Sequence, residues 1–442
     1  MIKAGYIKTK KQFNKFIKKY NESDSIIIPI LVDENLHPLN TTLSLLYVKL
    51  IGENDYILAF DHTEANSLPI EYLSKLNNKK VKYTFNKKEL IHIISWKNVV
   101  DVNLCHYMKT NQPLHIDEIG TNAHNYFNST FYHKNNINRI IPILKHLEYC
   151  RELAKLLEKE IDEPFNEYND DVIDVLTYIE NSGVRVNPKY IDRSSYKHLT
   201  KDGKLYTEYN IYTSTGRPSN RFGGINFSAL NKTDDSRKAL ISRFGKDGVL
   251  VEFDFNSFHP RLIANVIGHK LPKGSVYEYL SKFYSVSHEE AKSLTFQYLY
   301  GRIPDDVRQL IPFFDQVQDY IDSVWTTYKT NDFIESDIYN KRIYRKNLQN
   351  MNKTKLFNYS IQLMETERNM KMMNKLIPML DSYKSKLILY NYDSLLFDFC
   401  MDDKLDFLKM IKSEIEENDK FPTRVSWGTD YKNMKDITEK FE

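Results

Sequence analysis

Two aspartates stand where predicted strands end, a position that suits a divalent metal ion. Asp254 closes the stretch from Val249 to Phe255, in which β-branched and aromatic residues predict a strand. Asp393 lies at the tip of a predicted hairpin whose flanks are too apolar for a surface loop. A carboxylate in such surroundings must be paired, neutralised or bound to metal. Two of them can hold two Mg²⁺ ions and promote phosphoryl transfer, although each Asp alone is more often a turn former.

A predicted helix between the two aspartates carries complementary chemistry along one face. His288, Lys292, Phe296 and Tyr300 recur at every fourth position, so they align as a slowly drifting stripe. The stripe offers two groups that can bind phosphates, followed by two aromatic rings that can pack on a sugar and a base. An amphipathic helix with a solvated lysine and buried rings produces the same spacing, and that interpretation stays open here.

Local signals mark the elements that position these residues. Ser287 and Glu290 form a capping-box pattern that starts the helix, and Gly301 is a typical terminator. The run from Pro260 to Val266 is helix-like and follows the Asp254 strand. The sequence thus predicts a strand, two helices and a hairpin around one cleft.

The chain as a whole indicates more than one domain of mixed structure. Strands followed by helices over about 150 residues predict a domain of α and β structure, and a polar, proline-marked link near Asp162–Pro164 ends it. The stretch Ser275–Tyr328 is mostly helical and is followed by a second mixed region. We expect two or three domains from a chain of 442 residues.

Composition narrows the class without identifying it. The chain is 41% hydrophobic and 27% charged, as in an ordinary globular protein. A net charge of +3 permits nucleic-acid binding without demanding it. The three cysteines lack metal-ligand spacing, and no apolar run reaches the roughly 20 residues of a membrane helix. We therefore expect a cytoplasmic protein with no membrane contact.

Five segments, in order, resemble the motifs of family A DNA polymerases, the group of bacterial DNA polymerase I and many phage replicases. TSTGRPS resembles T-x-T-G-R-L-S, DFNSFHPR resembles D-Y-S-Q-I-E-L-R, and KSLTFQYLYG resembles K-x-x-N-F-G-x-x-Y-G. YDS stands in place of H-D-E, and NYSIQ resembles the N-x-x-x-Q of a palm helix. The similarity runs from about Asp171 to the C-terminus. Several motifs in the family's order are much more specific than any one of them.

The resemblance implies roles for the residues already singled out. Asp254 and Asp393 would be catalytic and, with the Phe255 carbonyl, would hold two Mg²⁺ ions, for which Mn²⁺ can substitute. Lys292 and His288 would bind the incoming triphosphate. The other nucleotide contacts would come from Phe296, His259 and Tyr300.

The same resemblance implies contacts with a primer-template. Arg217, Asn358 and Gln362 would touch the minor groove or backbone, where A·T and G·C pairs share acceptors. Gly301, next to Tyr300, would lie near the template base. The implied activity is template-directed DNA polymerisation, in which dNTPs are added to a primer 3′ end.

Two departures concern the metal motifs. The family's glutamate in the first motif is His259 here, and the glutamate after the second catalytic Asp is Ser394. The first glutamate usually helps to exclude ribonucleotides by crowding the 2′-OH, so sugar discrimination is open. A ribonucleotide-tolerant polymerase or primer-maker is one alternative, and a catalytically inactive DNA-binding subunit is another.

The N-terminal region more faintly resembles the family's RNase H-like 3′–5′ exonuclease domain. Such a domain needs acidic metal ligands, yet the aligned positions include Asn35, Asn86 and Asn136. Amides are neutral and are weaker ligands for divalent metals. Asp33 and Asp101 would then be structural; if Asp101 is instead the second ligand, only two of the four carboxylates survive. In either case the domain would be a degenerate scaffold without proofreading.

The implied architecture is multidomain, with α/β and α+β parts. The thumb, a helical hairpin that grips the duplex, has no room between Pro188 and Tyr206, since two helices of about 11 residues plus a loop would not fit. We therefore expect a protein partner that supplies grip and processivity, in the host cytoplasm if a phage encodes the chain. The resemblance divides the chain into an exonuclease-like domain 1–162, a first palm part 163–274, helical fingers 275–345 and a second palm part 346–442.

Overall fold

The chain forms two compact units, each of which mixes helices and strands. Unit 1 comprises Met1–Thr177 with Lys197–Thr200, and unit 2 comprises Tyr178–Tyr196 with Lys201–Glu442. The protein therefore has a multidomain α/β fold. The structure, a computed structural model, describes residues 5–65, 67–116, 138–161, 167–220 and 226–441.

Unit 1 is built around a six-stranded mixed sheet. Its strands are β1 Gly5–Ile7, β2 Ser25–Leu31, β3 Leu43–Leu50, β4 Asp55–Ala59, β5 Lys82–Thr84 and β6 Val99–Asp101. Their order across the sheet is β1-β4-β3-β2-β5-β6. β3 pairs antiparallel with β2 and β4, whereas β1 is parallel to β4 and β5 is parallel to both β2 and β6.

Alternation along the central strands sends side chains of unit 1 into two cores. In β2, Ile27 shares a core with Phe13 of the first helix, whereas Ile26 shares the other core with Leu153 of the fourth. Successive strand residues face opposite sides, so helices cover both faces of the sheet. The helices are α1 Lys10–Tyr20, α2 Lys87–Ile93, α3 Val102–Thr110, α4 Ile143–Lys159 and α5 Glu167–Ser182, which continues into unit 2.

Unit 2 contains a five-stranded sheet in which every pairing is antiparallel. In spatial order its strands are β14 Lys386–Tyr390, β15 Ser394–Cys400, β11 Gly248–Phe255, β16 Thr423–Gly428 and β17 Lys435–Asp436. Two-stranded sheets elsewhere in the unit pair β7 Val184–Arg185 with β8 Lys204–Leu205, β9 Tyr209–Asn210 with β10 Ser219–Asn220, and β12 Phe333–Glu335 with β13 Arg342–Tyr344.

Strand β11 forms where the sequence predicts it, at the centre of this sheet. Val251, Phe253 and Phe255 are buried, whereas Glu252 and Asp254 are half-buried on the opposite face. Pairing with β15 on one side and β16 on the other fixes the register of the strand. The position of Asp254 is therefore set by two ladders at once.

Helices after β11 enclose a separate core within unit 2. That core includes Ile263, Leu280, Leu299, Phe313 and Ile361. The helices of the unit are α6 Phe258–Val266, α7 Val276–Tyr284, α8 His288–Tyr300, α9 Asp305–Leu310, α10 Pro312–Asn331, α11 Lys353–Leu380 and α12 Lys404–Glu416.

The predicted bounds of α8 are confirmed by its caps. The Ser287 hydroxyl accepts a hydrogen bond from the Glu290 N–H at 3.3 Å, and Gly301 occupies the C-cap position. The predicted hairpin is likewise formed by β14 and β15.

The segment between α5 and β8 is fully described and contains no α-helix. It consists of the short strand β7 and of two 3₁₀ helices, Pro188–Tyr190 and Arg193–His198. A helical hairpin is thus absent from this connection.

The part of the chain that the structure describes contains neither a membrane-spanning helix nor a disulfide bond. Within it, every helix is too short or too polar to cross a bilayer. Cys105, Cys150 and Cys400 are buried free thiols.

Candidate active site

Asp254 and Asp393 lie next to each other at one end of the antiparallel sheet. Asp254 is the penultimate residue of β11, and its partner in register is Ser394, the first residue of β15. Asp393 therefore directly precedes the residue opposite Asp254. The Phe255 N–H donates a hydrogen bond to the carbonyl oxygen of Asp393 at 2.9 Å, which joins the strand end to the hairpin turn.

A two-residue turn between β14 and β15 places Asp393. Asn391 and Ser394 exchange backbone hydrogen bonds of 2.9 and 3.4 Å, so Tyr392 and Asp393 form the turn itself. Tyr392 has a φ of 64°, in the left-handed region that costs a residue with a side chain about 1–2 kcal/mol. The Asn369 side chain supports this conformation, because its Nδ2 donates to the Tyr392 carbonyl at 2.8 Å.

The electrostatics of this sheet end favour a bound cation. Burial, followed by the negative charges of Asp254 and Glu365, raises the pKa of Asp393 to about 6. Asp254 is half-buried, and its Oδ2 accepts from Nη2 of Arg424 at 2.9 Å. A divalent metal would relieve the repulsion between the carboxylates, and carboxylate oxygens are its preferred ligands. The donor set at this position therefore fits Mg²⁺.

The stripe on α8 is distinct from the face by which that helix packs. The buried residues of α8 are Ala291, Thr295 and Leu299, whereas Lys292 and Phe296 are exposed. The stripe thus lies mainly beside the packing face, and its last member, Tyr300, packs half-buried against the core.

Two rings and two cationic or ionisable groups follow each other along the stripe. Phe296 and Tyr300 stack with centroids 5.7 Å apart and planes at 17°, and 36% of Phe296 remains exposed. His288 and Lys292 precede them and are exposed. The His288 Nε2 is 3.2 Å from the Ser275 hydroxyl. The arrangement can bind an anion at one end and an apolar ring or sugar at the other.

Tyr277, on α7, lies behind the stripe and was not predicted from the sequence. Its ring centroid is 6.2 Å from that of Phe296 and 6.0 Å from the Lys292 Nζ. Burial raises the pKa of its hydroxyl, and a hydrogen bond with the Ser257 side chain opposes that rise. Tyr277 thus links the stripe to the turn that follows β11.

His259 stands between the stripe and a buried carboxylate. Its Nδ1 is hydrogen-bonded to the Tyr300 hydroxyl, and its Nε2 is 3.2 Å from Oε1 of Glu365. The other carboxylate oxygen, Oε2, is 3.1 Å from Nε of Arg217. The Arg217 guanidinium in turn lies 3.7 Å over the Tyr392 ring. A continuous set of contacts therefore connects α8 with the hairpin that carries Asp393.

Helix α11 directs a row of polar side chains at this region. Asn358, Gln362, Glu365 and Asn369 follow at intervals of four, three and four residues, which is one helical face. Gln362 donates to Asn358 Oδ1 at 3.3 Å and accepts from the Thr215 hydroxyl at 3.3 Å. Two of the residues predicted to bind DNA are thus joined to the loop that carries Arg217.

Gly301 is fixed by close backbone contact. A Cβ at this position would lie 2.5 Å from the Gln297 carbonyl oxygen, so a larger residue does not fit without rearrangement. Its own carbonyl accepts from the Thr354 hydroxyl at 3.2 Å, which ties the end of α8 to α11.

Two residues at the expected exonuclease positions of unit 1, Asp33 and Asn86, accept hydrogen bonds from nearby backbone N–H groups. Asp33 Oδ1 accepts the Asn35 N–H at 2.9 Å, and Asn86 caps α2 by accepting the Glu89 N–H. These are turn and capping contacts. Asn136 lies outside the described residues.

Asp101 serves as the cap of α3. It is 2% exposed, and its two oxygens accept the N–H groups of Leu104 and Lys87, each at 2.8 Å. Burial raises its pKa to about 6, and these backbone hydrogen bonds oppose the rise. A cap that holds two backbone donors has a structural role.

Comparison with known proteins shows the fold of the chain. The sequence matches no protein-family model and no curated protein. The structure is similar to the solved POL domain of Pol1 from M. smegmatis, in complex with DNA primer-template and dNTP. The TM-score is 0.69 at 13% sequence identity, and the match covers 97% of this chain and 99% of that one. The protein therefore has the fold of this POL domain.

Proposed function

We propose that the protein is a template-directed DNA polymerase that adds dNTPs to a primer 3′ end by two-metal phosphoryl transfer. The observation that carries the proposal is the placement of Asp254 and Asp393 at neighbouring strand ends, on a fold whose similar POL domain was solved with primer-template and dNTP. Paired carboxylates on a rigid sheet suit this chemistry, because it depends mainly on positioning and charge.

The metal ligands would be Asp254, Asp393 and the Phe255 carbonyl. Divalent ions such as Mg²⁺ or Mn²⁺ held by these ligands would stabilise the negative charge on the attacking and leaving oxygens of the displacement. The chain contributes the fixed separation of the two carboxylates, which the β11–β15 register and the Tyr392–Asp393 turn determine.

The nucleotide would lie along the stripe of α8. Lys292 and His288 at the exposed start of the helix bind the triphosphate, and Phe296 packs on the sugar. Tyr300 and His259, which are hydrogen-bonded to each other, close the far end of this pocket. The order of groups matches the order of parts in a dNTP.

The primer-template would contact the polar surface formed by α11 and the Arg217 loop. Asn358, Gln362 and Arg217 offer donors and acceptors that suit the minor groove. Gly301, next to Tyr300, would lie near the template base. Arg217 adds a cationic group to this surface, 3.1 Å from the Glu365 carboxylate.

In this assignment the palm comprises residues 163–274 and 346–442, and the fingers comprise 275–345. The N-terminal domain, 1–162, is an RNase H-like relative of the proofreading exonuclease whose acidic positions now serve as caps and turns. The strand order and directions of β2 to β6 support that relationship. The short connection between α5 and β8 supports the absence of a thumb and the need for a processivity partner.

Primer extension tests the proposal directly. Purified chain with Mg²⁺, dNTPs and a labelled primer-template should extend the primer as the template dictates, and chelation of the metal should stop it. A preparation that binds primer-template without extending it in Mg²⁺ or Mn²⁺ would instead support a non-catalytic DNA-binding role.

A further inference from the structure

Glu365 is a fully buried carboxylate in the middle of the candidate site, and no motif assigns it a role. Its exposure is 0%, and its two oxygens lie at ion-pair distance from His259 on one side and Arg217 on the other. Both contacts lack the alignment of linear hydrogen bonds. Burial of a charge is costly unless it is paired, so α11 can retain this carboxylate only with its partners in place.

The Glu365 carboxylate determines which nitrogen of the His259 ring carries the proton. A carboxylate beside Nε2 favours the tautomer with its proton on that nitrogen. In the neutral ring Nδ1 is then an acceptor, so the Tyr300 hydroxyl donates to it. The Tyr300 hydroxyl therefore occupies Nδ1, and Nε2 faces the Glu365 carboxylate at ion-pair distance.

The His259 ring lies where it can affect the binding of a nucleotide. His259 lies in the first turn of α6, just after the strand that carries Asp254. Tyr300 stacks on the exposed ring of Phe296. The imidazole thus forms the wall between the two aspartates and the stripe, where the sugar of an incoming nucleotide would lie.

We propose that Glu365 is a positioning residue that sets sugar selectivity by holding His259; the inference rests on the proposed polymerase function. With Nδ1 bonded to the Tyr300 hydroxyl and Nε2 turned to the Glu365 carboxylate, His259 presents neither nitrogen to a ribose 2′-OH. A ribonucleotide would lose hydrogen bonds between that hydroxyl and water without replacement, a cost that a deoxyribonucleotide does not have. Loss of the carboxylate would release the ring and free a nitrogen for the 2′-OH.

The primary test is the ratio of kcat/KM for dNTP to that for rNTP in Glu365→Gln. We expect the ratio to fall about tenfold, the size of one hydrogen bond, mainly because rNTP is used better. Glu367→Gln is the matched control, since Glu367 is also buried on α11 but accepts from the Ser336 hydroxyl at 2.5 Å. That control should leave the ratio unchanged.

A double variant shows whether Glu365 acts by positioning the His259 ring or by a general structural effect. In His259→Ala, the additional change Glu365→Gln should leave the ratio where the single variant has it, because the effect passes through the ring. If Glu365 only supports Arg217, its loss would raise the KM for primer-template and leave the sugar ratio at the wild-type value. That result, or additive losses in the double variant, would overturn the assignment.

The outcomes also distinguish this inference from the function on which it rests. A wild-type chain that extends no primer refutes both, whereas normal extension with unaltered selectivity in Glu365→Gln refutes only the role of Glu365. If circular dichroism shows that Glu365→Gln does not fold, Glu365→Asp carries the same expectation. The shorter side chain keeps a negative charge in the site but withdraws the carboxylate from the His259 ring.

Discussion

The two sheets of this protein place aspartate at strand ends for opposite purposes. In unit 1, Asp101 ends β6 and accepts two backbone N–H groups at 2.8 Å. In unit 2, Asp393 precedes β15 and lies near two other carboxylates, Asp254 and Glu365. The pKa of both Asp101 and Asp393 is raised to about 6, with burial as the main cause.

A raised pKa therefore does not separate a structural carboxylate from a candidate ligand. The neighbouring groups distinguish the two kinds of carboxylate. Backbone donors around Asp101 stabilise its negative charge, whereas negative groups around Asp393 oppose it. A carboxylate that the protein already satisfies has little left to offer a metal. One that faces like charges gains from a cation.

The largest expected effect comes from removal of either carboxylate in unit 2. Asp254→Asn and Asp393→Asn should each lower primer extension at least about a thousandfold, since each removes a charged metal ligand and several kcal/mol of transition-state stabilisation. Single-turnover extension in Mg²⁺ measures the loss. Far-UV circular dichroism and primer-template binding should remain close to wild type, and extension near the wild-type rate in either variant would contradict the two-metal mechanism.

The next expectation concerns the lifetime of the complex between the chain and primer-template DNA. Grip comes from phosphate contacts along the duplex, and no helical hairpin is present between α5 and β8 to supply them. The chain alone should dissociate after few insertions and should lose affinity steeply with salt, since missing contacts appear mainly in the off-rate. Extension with excess trap DNA across a salt series measures this. Long products from single binding events would show that another part of the chain grips the duplex.

Acid should weaken unit 1 through a buried histidine. His146 is 2% exposed, its Nε2 lies 2.9 Å from the Asn138 carbonyl, and burial lowers its pKa to about 4. The unfolded chain takes up this proton near pH 6.5, so the stabilisation is present above that pH and is lost as pH falls to about 4. The loss can reach about 3 kcal/mol. Hydrogen exchange across this pH range should report it in peptides of unit 1, and His146→Gln should flatten the dependence.

Asp101→Ala should affect stability and leave catalysis alone. It removes a helix cap and leaves the buried Lys87 N–H without its acceptor, so the free energy of unfolding should fall by about 1–3 kcal/mol. Denaturant unfolding measures the change. Primer extension below the melting temperature should match wild type, and a large loss of extension would show that the two units are not as separate in function as their carboxylates indicate.

Asp33→Ala should have the smallest effect. Its carboxylate holds a local turn, so stability should change by less than about 1 kcal/mol. The wild-type chain should not shorten a mismatched 3′ end in Mg²⁺ or Mn²⁺. Degradation that copurifies with the protein and disappears in Asp33→Ala would place a working nuclease in unit 1.

The sequence predicts the elements around the site because their signals are local. Alternation along β11, the caps of α8 and the apolar flanks of the hairpin each depend on residues a few positions apart. The register between β11 and β15, which brings Asp254 beside Asp393, follows from the hydrophobic faces of two separate strands. It could be expected only once both strands were assigned to one sheet.

Residues that act through distant partners escape this kind of prediction. Glu365 and Asn369 extend the helical row of Asn358 and Gln362, and that spacing is the one signal they give. Tyr277 gives none, because its neighbours on α8 come from a separate helix. Charge placement in a core is decided by tertiary contacts, which a linear pattern does not encode.

The left-handed backbone of Tyr392 sets stability against activity at a single position. Glycine adopts this conformation without steric cost, so Tyr392→Gly would relieve about 1–2 kcal/mol of backbone strain. The same change would remove the ring beneath the Arg217 guanidinium and loosen the loop before Asp393. The ring and the backbone of Tyr392 therefore oppose each other, and strain at this turn is retained together with the contact that holds the loop before Asp393.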